Sequence, residues 1–208
     1  IKGGSKTYAK ALTASFNDKI RLDAPVQSIR RVDDGVFITS RFGEEKFDAV
    51  FIASHSDQAL ALLADPSETE LEVLGAIKYQ GNEVLLHTDE SVLPTRRRAW
   101  AAWNYHLLGG NQTRVPVTYN MNILQGFDCP QQFCVTLNNS DAIDPSKVLK
   151  RMHYQHPVYT PESVAAQARQ AEINIGRTFY CGAYWRYGFH EDGVVSALEA
   201  LKHFEQSL

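Results

Sequence analysis

The stretch from Gly182 to Val194, Gly-Ala-Tyr-Trp-Arg-Tyr-Gly-Phe-His-Glu-Asp-Gly-Val, gathers the residue types most suited to holding a ligand. A β-prone run, Arg177 to Cys181, ends at Gly182-Ala183, crosses an aromatic loop and enters a helix beside Asp192-Gly193. The first N–H groups of a helix lack intrahelical partners and lie at the positive end of its dipole, so an anion or a polarised ring is a suitable guest there. Tyr184, Trp185 and Tyr187 offer aromatic faces nearby. His190 stands at the helix entrance, either as a catalytic group or as a packing histidine.

A second group lies upstream. Trp100, Trp103, Tyr105, Tyr119 and Met121 fall on strand-like runs and could line an apolar pocket or simply build a core. Asn104, Asn120 and Asn122 are interleaved with them, and buried amides require partners. Other chemistries lack their spacing. His153, His156 and His190-Glu191-Asp192 form no metal-ligand pattern, and no Gly-x-Ser-x-Gly elbow is present.

These residues need elements to position them. Gly3-Gly4-Ser5 leads into a short helix with Ser5 as its expected N-cap. Ile20–Leu22 and Val26–Val32 are expected strands; Asp33-Asp34-Gly35 is a hairpin turn and 36–40 the return. After a turn at 42–45, residues 46–53 form one further strand whose end, Ala49–Ala53, is continuously apolar, as buried parallel strands are. Ser54-His55-Ser56-Asp57 opens a helix over 58–63, and Glu68–Leu74 is another. Runs at 83–87, 99–105, 115–122 and 132–137 point to an antiparallel sheet. A helical turn follows at 144–149, a loop at 154–157 and a helix at 162–171.

Composition sets the bounds. The 208 residues are 44% hydrophobic and 22% charged, enough for a substantial core. A net charge of -3 gives no electrostatic reason to bind nucleic acid, and Arg96-Arg97-Arg98 is too short to change that. The three cysteines, Cys129, Cys134 and Cys181, form no Cys-x-x-Cys and cannot all pair, so a reduced, cytoplasmic setting is expected, in which the sequons at Asn111 and Asn138 carry no meaning. No apolar run approaches the roughly 18 residues of a transmembrane helix. The opening Ile1-Lys2-Gly3-Gly4-Ser5, without Met or a leading strand, suggests a piece of a longer protein.

In order and motif the chain resembles the C-terminal half of an NAD/FAD-binding oxidoreductase of the flavin-containing amine oxidase superfamily. The stretches that carry the resemblance are Gly3-Gly4-Ser5, Phe47–His55, Leu85–Asp89, Trp100–Tyr105, Thr118–Asn122, Tyr154–Val158 and, most specifically, Gly188–Gly193. It implies an α/β (α+β) fold: a partial Rossmann-like FAD-binding domain with a β-meander, residues 1–66 and 172–208, and an antiparallel-sheet substrate domain, residues 67–171. It also implies roles. Val26 would read the adenine through its backbone, Ala53 and Ser54 would pass the FAD diphosphate, Gly182 and Ala183 would let backbone approach the cofactor, and Asp192, Gly193 and Val194 would present helix N–H groups to the flavin. Lys78, after Leu74-Gly75-Ala76-Ile77, resembles a lysine that holds a water beside the flavin N5, shifted by one position. His190 stands where the family pattern has an aromatic. Trp100, Trp103, Tyr105, Asn120, Tyr184 and Trp185 would surround the substrate.

One element of the pattern is missing. The Gly-x-Gly-x-x-Gly turn that cradles the diphosphate does not occur, since Gly3-Gly4 and Gly109-Gly110 lack the third glycine. The expectation is therefore part of an FAD-dependent oxidoreductase that passes hydride from an unidentified small organic substrate, apolar in one reading, to flavin; alone the chain is expected to be inactive, and a homo-oligomer is one expected partner state. The alternative is a non-enzymatic ligand-binding or oligomerising domain without nucleotide.

Overall fold

The computed structural model describes residues 3–107, 109 and 114–207. The Asn111 sequon and Gly110 lie outside the described residues. The chain divides into two compact units, Ile1–Ala76 with Pro161–Leu208, and Ile77–Thr160. Both boundaries differ from the expected ones at 66 and 172, because the helices at 68–76 and 161–173 pack within the first unit.

In the first unit, α1 (Ser5–Thr13) begins after Gly4, whose positive φ of 75° turns the chain into the helix. Gly4, not Ser5, holds the N-cap position, and no side chain caps the helix. The expected strand at Ile20–Leu22 is absent. A 3-10 turn over Asn17–Lys19 and a left-handed Asp23 occupy this region, with Pro25 next, so the backbone offers no regular ladder. The meander follows: β1 (Val26–Val32), β2 (Gly35–Ser40) and β3 (Gly43–Phe47), antiparallel in that order. The run expected as one strand over 46–53 is two, because Asp48 and Ala49 separate β3 from β4 (Val50–Ile52). Then come α2 (Ser56–Leu62) and α3 (Glu68–Ala76).

The second unit is a five-stranded antiparallel sheet. Its elements are β5 (Tyr79–His87), β6 (Trp103–Tyr105), β7 (Val117–Asn120), α4 (Met121–Gln125), β8 (Cys134–Leu137) and β9 (Val148–Pro157), with strand order β6-β7-β8-β5-β9. Three differences from the sequence expectation have local causes. The run at 115–122 stops at Asn120, whose side chain takes the Ile123 N–H at 3.1 Å and starts α4. The run at 99–105 is a strand only from Trp103, after a 3-10 turn at Arg97–Ala99. The expected loop at 154–157 is the end of β9, paired with β5 from Tyr79↔Pro157 to His87↔Val148. As an edge strand it carries polar residues on both faces, which hides the alternation that marks a half-buried strand.

The chain returns to the first unit with α5 (Pro161–Gln167) and α6 (Gln170–Ile173), two helices where one was expected, then β10 (Thr178–Tyr180) and α7 (His190–Ser207). β10 pairs with β4 in parallel, Thr178↔Val50, Phe179↔Phe51 and Tyr180↔Ile52, as the apolar run at 49–53 suggested. Phe51 stacks on Phe179 at 5.0 Å, and both meet Phe204 of α7 at 5.5 Å, which fixes the helix against this pair of strands.

Candidate functional site

The parallel register delivers two chain segments to one sheet edge. Cys181 donates its N–H to Ile52 O at 3.1 Å, so Ala53-Ser54 and Gly182-Ala183 leave β4 and β10 side by side. In open α/β sheets such carboxyl ends of parallel strands are where ligands bind. Ala53 is exposed and Ser54 half-buried, and Ser54 leads through His55, whose N–H donates to Gln58 Oε1 at 3.3 Å, into α2.

The segment after Gly182 is held by side chains that the sequence reading did not single out. Gly182 N–H donates to Ser196 Oγ at 2.9 Å, and that hydroxyl donates to Gly193 O at 2.8 Å, tying the loop to the first turns of α7. Gln167 Nε2 donates to the carbonyls of Tyr184 and Arg186, both at 2.8 Å. Gln170 Nε2 donates to Tyr180 O at 2.9 Å, and Asn174 Oδ1 accepts the Tyr180 N–H at 2.7 Å. Carboxamides carry both donor and acceptor and suit this work, but nothing in their spacing marks it. A Cβ on Gly182 would lie 2.4 Å from Tyr184 Cε1, so only glycine lets the ring fold back there.

Tyr184 and Trp185 are buried in a 3-10 turn, with ring centroids 5.1 Å apart. The Trp185 Nε1–H is buried and meets no acceptor among the described residues. Tyr187, Phe189 and His190 are exposed at the entrance to α7. The buried Asp192 takes the Phe189 N–H on Oδ2 at 2.9 Å and so caps the helix from within. His190, Gly193, Val194 and Ala197 form one stripe on α7 and, with Tyr8 of α1, line a cleft of about 650 Å³. Tyr8 and Ala197 are additions; the helical spacing 190/193/194/197 is the signal that finds the latter. Val26, elsewhere in the unit, borders a cleft of about 590 Å³ with Ile38 and Phe47 as apolar lining and Lys19 and Arg21 among its other walls.

The remaining candidates lie in the second unit. Lys78 is exposed just before β5, and its carbonyl accepts the Val158 N–H at 2.8 Å. The pairing Trp103↔Tyr119 and Tyr105↔Val117 puts Trp103 and Tyr105 on one sheet face, and places Asn104, Thr118 and Asn120 on the other. Trp103 and Tyr105 are each 57% exposed, while Asn120 is buried, so the sheet separates what the sequence reading grouped. Trp100 precedes β6 and donates Nε1–H to Pro94 O at 2.7 Å. The amides of this region are satisfied locally: Asn104 bonds Ala101 and Thr118, and Asn122 bonds Gln131 and Phe133.

Among the described residues no cluster of three or more His, Cys, Asp or Glu could hold a metal ion, and no helix is long and apolar enough to cross a membrane. No protein-family model and no curated protein matches the sequence. Solved structures do match. A protein assigned as a protoporphyrinogen oxidase from Exiguobacterium sp. 255-15 has a TM-score of 0.60 at 14% identity, over 96% of this chain and 51% of its own. An engineered putrescine oxidase has a TM-score of 0.64 at 10% identity, over 98% of this chain and 53% of its own. A fatty acid isomerase from P. acnes that produces CLA has a TM-score of 0.60 at 16% identity, over 96% and 52%. The chain thus has the mixed α/β fold of the amine-oxidase structures and spans about half the length of the structures it matches.

Proposed function

We propose that this chain is the cofactor-facing and substrate-facing part of an FAD-dependent oxidoreductase. The observation that carries the proposal is the juxtaposition at the first unit's sheet edge: Ala53-Ser54 and Gly182-Ala183 emerge together from parallel strands next to the first turn of α7. The fold shared with the oxidases named above supports it.

The residues present fit two parts of FAD. The 590 Å³ cleft at Val26 has an apolar lining suited to a purine, and its cations Lys19 and Arg21 are balanced by Asp18 and Glu45, the latter bonded to Arg21. At the other part, the first turn of α7 presents N–H groups that lack intrahelical acceptors, the complement of a flavin's carbonyl edge. The diphosphate cradle is not in this sequence, and the proposal assigns that part of the cofactor to no residue of this chain. When bound, FAD supplies a hydride acceptor. This chain's contribution is positional: Gly182 and Ala183 set the backbone approach, Asp192 fixes the helix start, and the open, mainly apolar 650 Å³ cleft seats an apolar substrate beside His190 and Tyr8. Lys78 is the proposed holder of a water in the same scheme. A reducing cytoplasmic compartment suits the three unpaired cysteines.

The test is flavin occupancy. The chain, and a longer form bearing an N-terminal glycine fingerprint, are purified and denatured, and the released flavin is read by its visible absorbance. Flavin in the longer form is the expected result. Its absence from both, with FAD added during refolding, would remove the oxidoreductase proposal and leave a ligand-binding or self-associating domain, the alternative that the missing glycine fingerprint favours.

A further inference from the structure

A chain of four side chains runs across three strands of the second unit's sheet and out to its edge. Asp89 N–H donates to His87 Nδ1 at 3.1 Å, which fixes the neutral ring with its hydrogen on Nε2. His87 Nε2 lies 2.7 Å from Thr136 Oγ1, Thr136 Oγ1 lies 2.7 Å from Thr118 Oγ1, and Thr118 Oγ1 lies 2.8 Å from His106 Nε2. His87 and Thr118 are fully buried and Thr136 is 1% exposed, while His106, just after β6, is half-buried.

Only one ordering of hydrogens satisfies every member. With its Nδ1 occupied as an acceptor, His87 must donate to Thr136. The Thr136 hydroxyl then donates to Thr118, and Thr118 donates to His106 Nε2, leaving the His106 hydrogen on Nδ1. The reverse order begins with a hydrogen on His106 Nε2. It turns the Thr118 hydroxyl toward Thr136 and strands the Thr136 hydrogen against His87 Nε2–H, at a residue only 1% exposed.

We infer that His87 holds His106 neutral from across the sheet, through the Thr136 and Thr118 hydroxyls, so that a proton reaching His106 must reverse the whole chain. The threonine pair is the coupling element, because a hydroxyl can pass the direction of donation from one neighbour to the next. The surrounding charges do not account for the effect. The one charged group among the described residues that bears on His87 is the Asp89 carboxylate, itself held by Lys147 Nζ at 3.0 Å and by the N–H groups of Ser91 at 3.1 Å and Asp144 at 2.8 Å. None bears on His106, whose burial alone already works against its charged form. Glu90 and Asp89 face the Cys134 thiol, the register partner of His87, and not the histidine at the far end.

The consequence is a pH-responsive edge. Acidification acts on His106 at the sheet margin beside the exposed Tyr105, and the rearrangement travels inward to a fully buried histidine.

Ring-nitrogen NMR tests this directly. In the wild-type chain near neutral pH the expected tautomers are Nε2–H on His87 and Nδ1–H on His106; any other pair overturns the inference. His87→Gln then supplies a terminal amide that can accept as well as donate, so the reversed order becomes satisfiable. The expected result is a rise in the His106 titration midpoint of about half a pH unit or more, roughly a three-fold gain in proton affinity. Thr136→Ser, which keeps the hydroxyl, is expected to leave it unchanged. A His106 midpoint that is the same in folded His87→Gln as in wild type refutes the coupling, and if that variant does not fold the wild-type tautomer pair decides.

Discussion

The buried carboxylate of Glu70 gives the sharpest test of how the first unit is held together. Its two oxygens accept from Arg31 Nη1 at 2.6 Å and Nη2 at 3.0 Å, Ser67 N–H at 2.7 Å, Ser67 Oγ at 3.0 Å and Tyr180 Oη at 2.6 Å, and the residue is 3% exposed. The carboxylate thus joins β1, α3 and β10, all by donors. Glu70→Gln keeps the shape but removes the charge and turns an NH₂ toward donors, above all the Arg31 guanidinium, which then has only Asp65 at 3.4 Å as its counter-charge. The expected loss is about 3 kcal/mol, the low end of the range for breaking a buried ion pair from one side, because Asp65 still faces Arg31. Tyr180→Phe removes one charge-assisted hydrogen bond and strands nothing, since Arg31 still covers Oε1; the expected loss is about 1.5–3 kcal/mol. Urea unfolding followed by circular dichroism measures both as midpoint shifts at constant slope.

The pH dependence follows from the same contacts. Burial opposes ionisation of Glu70, but hydrogen bonds from Arg31, Tyr180 and Ser67 outweigh it and hold the carboxyl below its ordinary 4.5. As the pH falls below that value the unfolded glutamate takes up a proton first, so the stabilisation is present above it and is lost as the pH drops through the folded-state value. Wild type should therefore lose this increment in acid and Glu70→Gln should not. A Tyr180→Phe loss equal to or larger than that of Glu70→Gln, or equal acid sensitivity in wild type and Glu70→Gln, would refute the assignment of the carboxylate as the shared acceptor.

Two further outcomes are expected. Gly182→Ala forces a Cβ to within 2.4 Å of the Tyr184 ring, and should cost about 1–3 kcal/mol by urea unfolding while weakening any flavin binding of the longer form; an unchanged midpoint contradicts the packing described. Among the thiols, Cys134 is buried and pushed up to about 11 by desolvation and by the nearby Glu90 and Asp89 carboxylates, and Cys181 is buried and shifted upward by desolvation. Iodoacetamide should therefore label Cys129 well before either of the others in the folded protein, as read by peptide mass spectrometry.

Much of this architecture is written in local chemistry. Asp33-Asp34-Gly35 between alternating runs specifies a hairpin whatever surrounds it, and the unbroken apolar run at 49–53 marks a parallel strand, which β4 is beside β10, although Phe51 stays 39% exposed. Ser67 and Glu70 stand at capping-box spacing, so the start of α3 is legible too. The glycines at 182 and 193 and the acidic first turn of α7 identify the candidate site's loop and helix from sequence alone.

What escapes is everything set by a distant partner. β9 is a strand because β5 lies alongside it from Tyr79 to His87, and an edge strand with polar residues on both faces carries no periodic trace of that pairing. The register Trp103↔Tyr119 decides that Trp103 and Asn120 face opposite ways, although both belong to apolar runs with the same composition. Gln167, Gln170 and Asn174 hold the loop after β10, and Arg31 and Tyr180 find Glu70 from 39 and 110 residues away. The sequence by itself determined the turns, caps, apolar strand and glycine-bounded loop, because each depends on backbone preference and neighbours within a few residues. Only the tertiary structure decided which faces are buried, which polar groups meet and where a proton order can be relayed, because those depend on contacts whose two halves share no sequence neighbourhood.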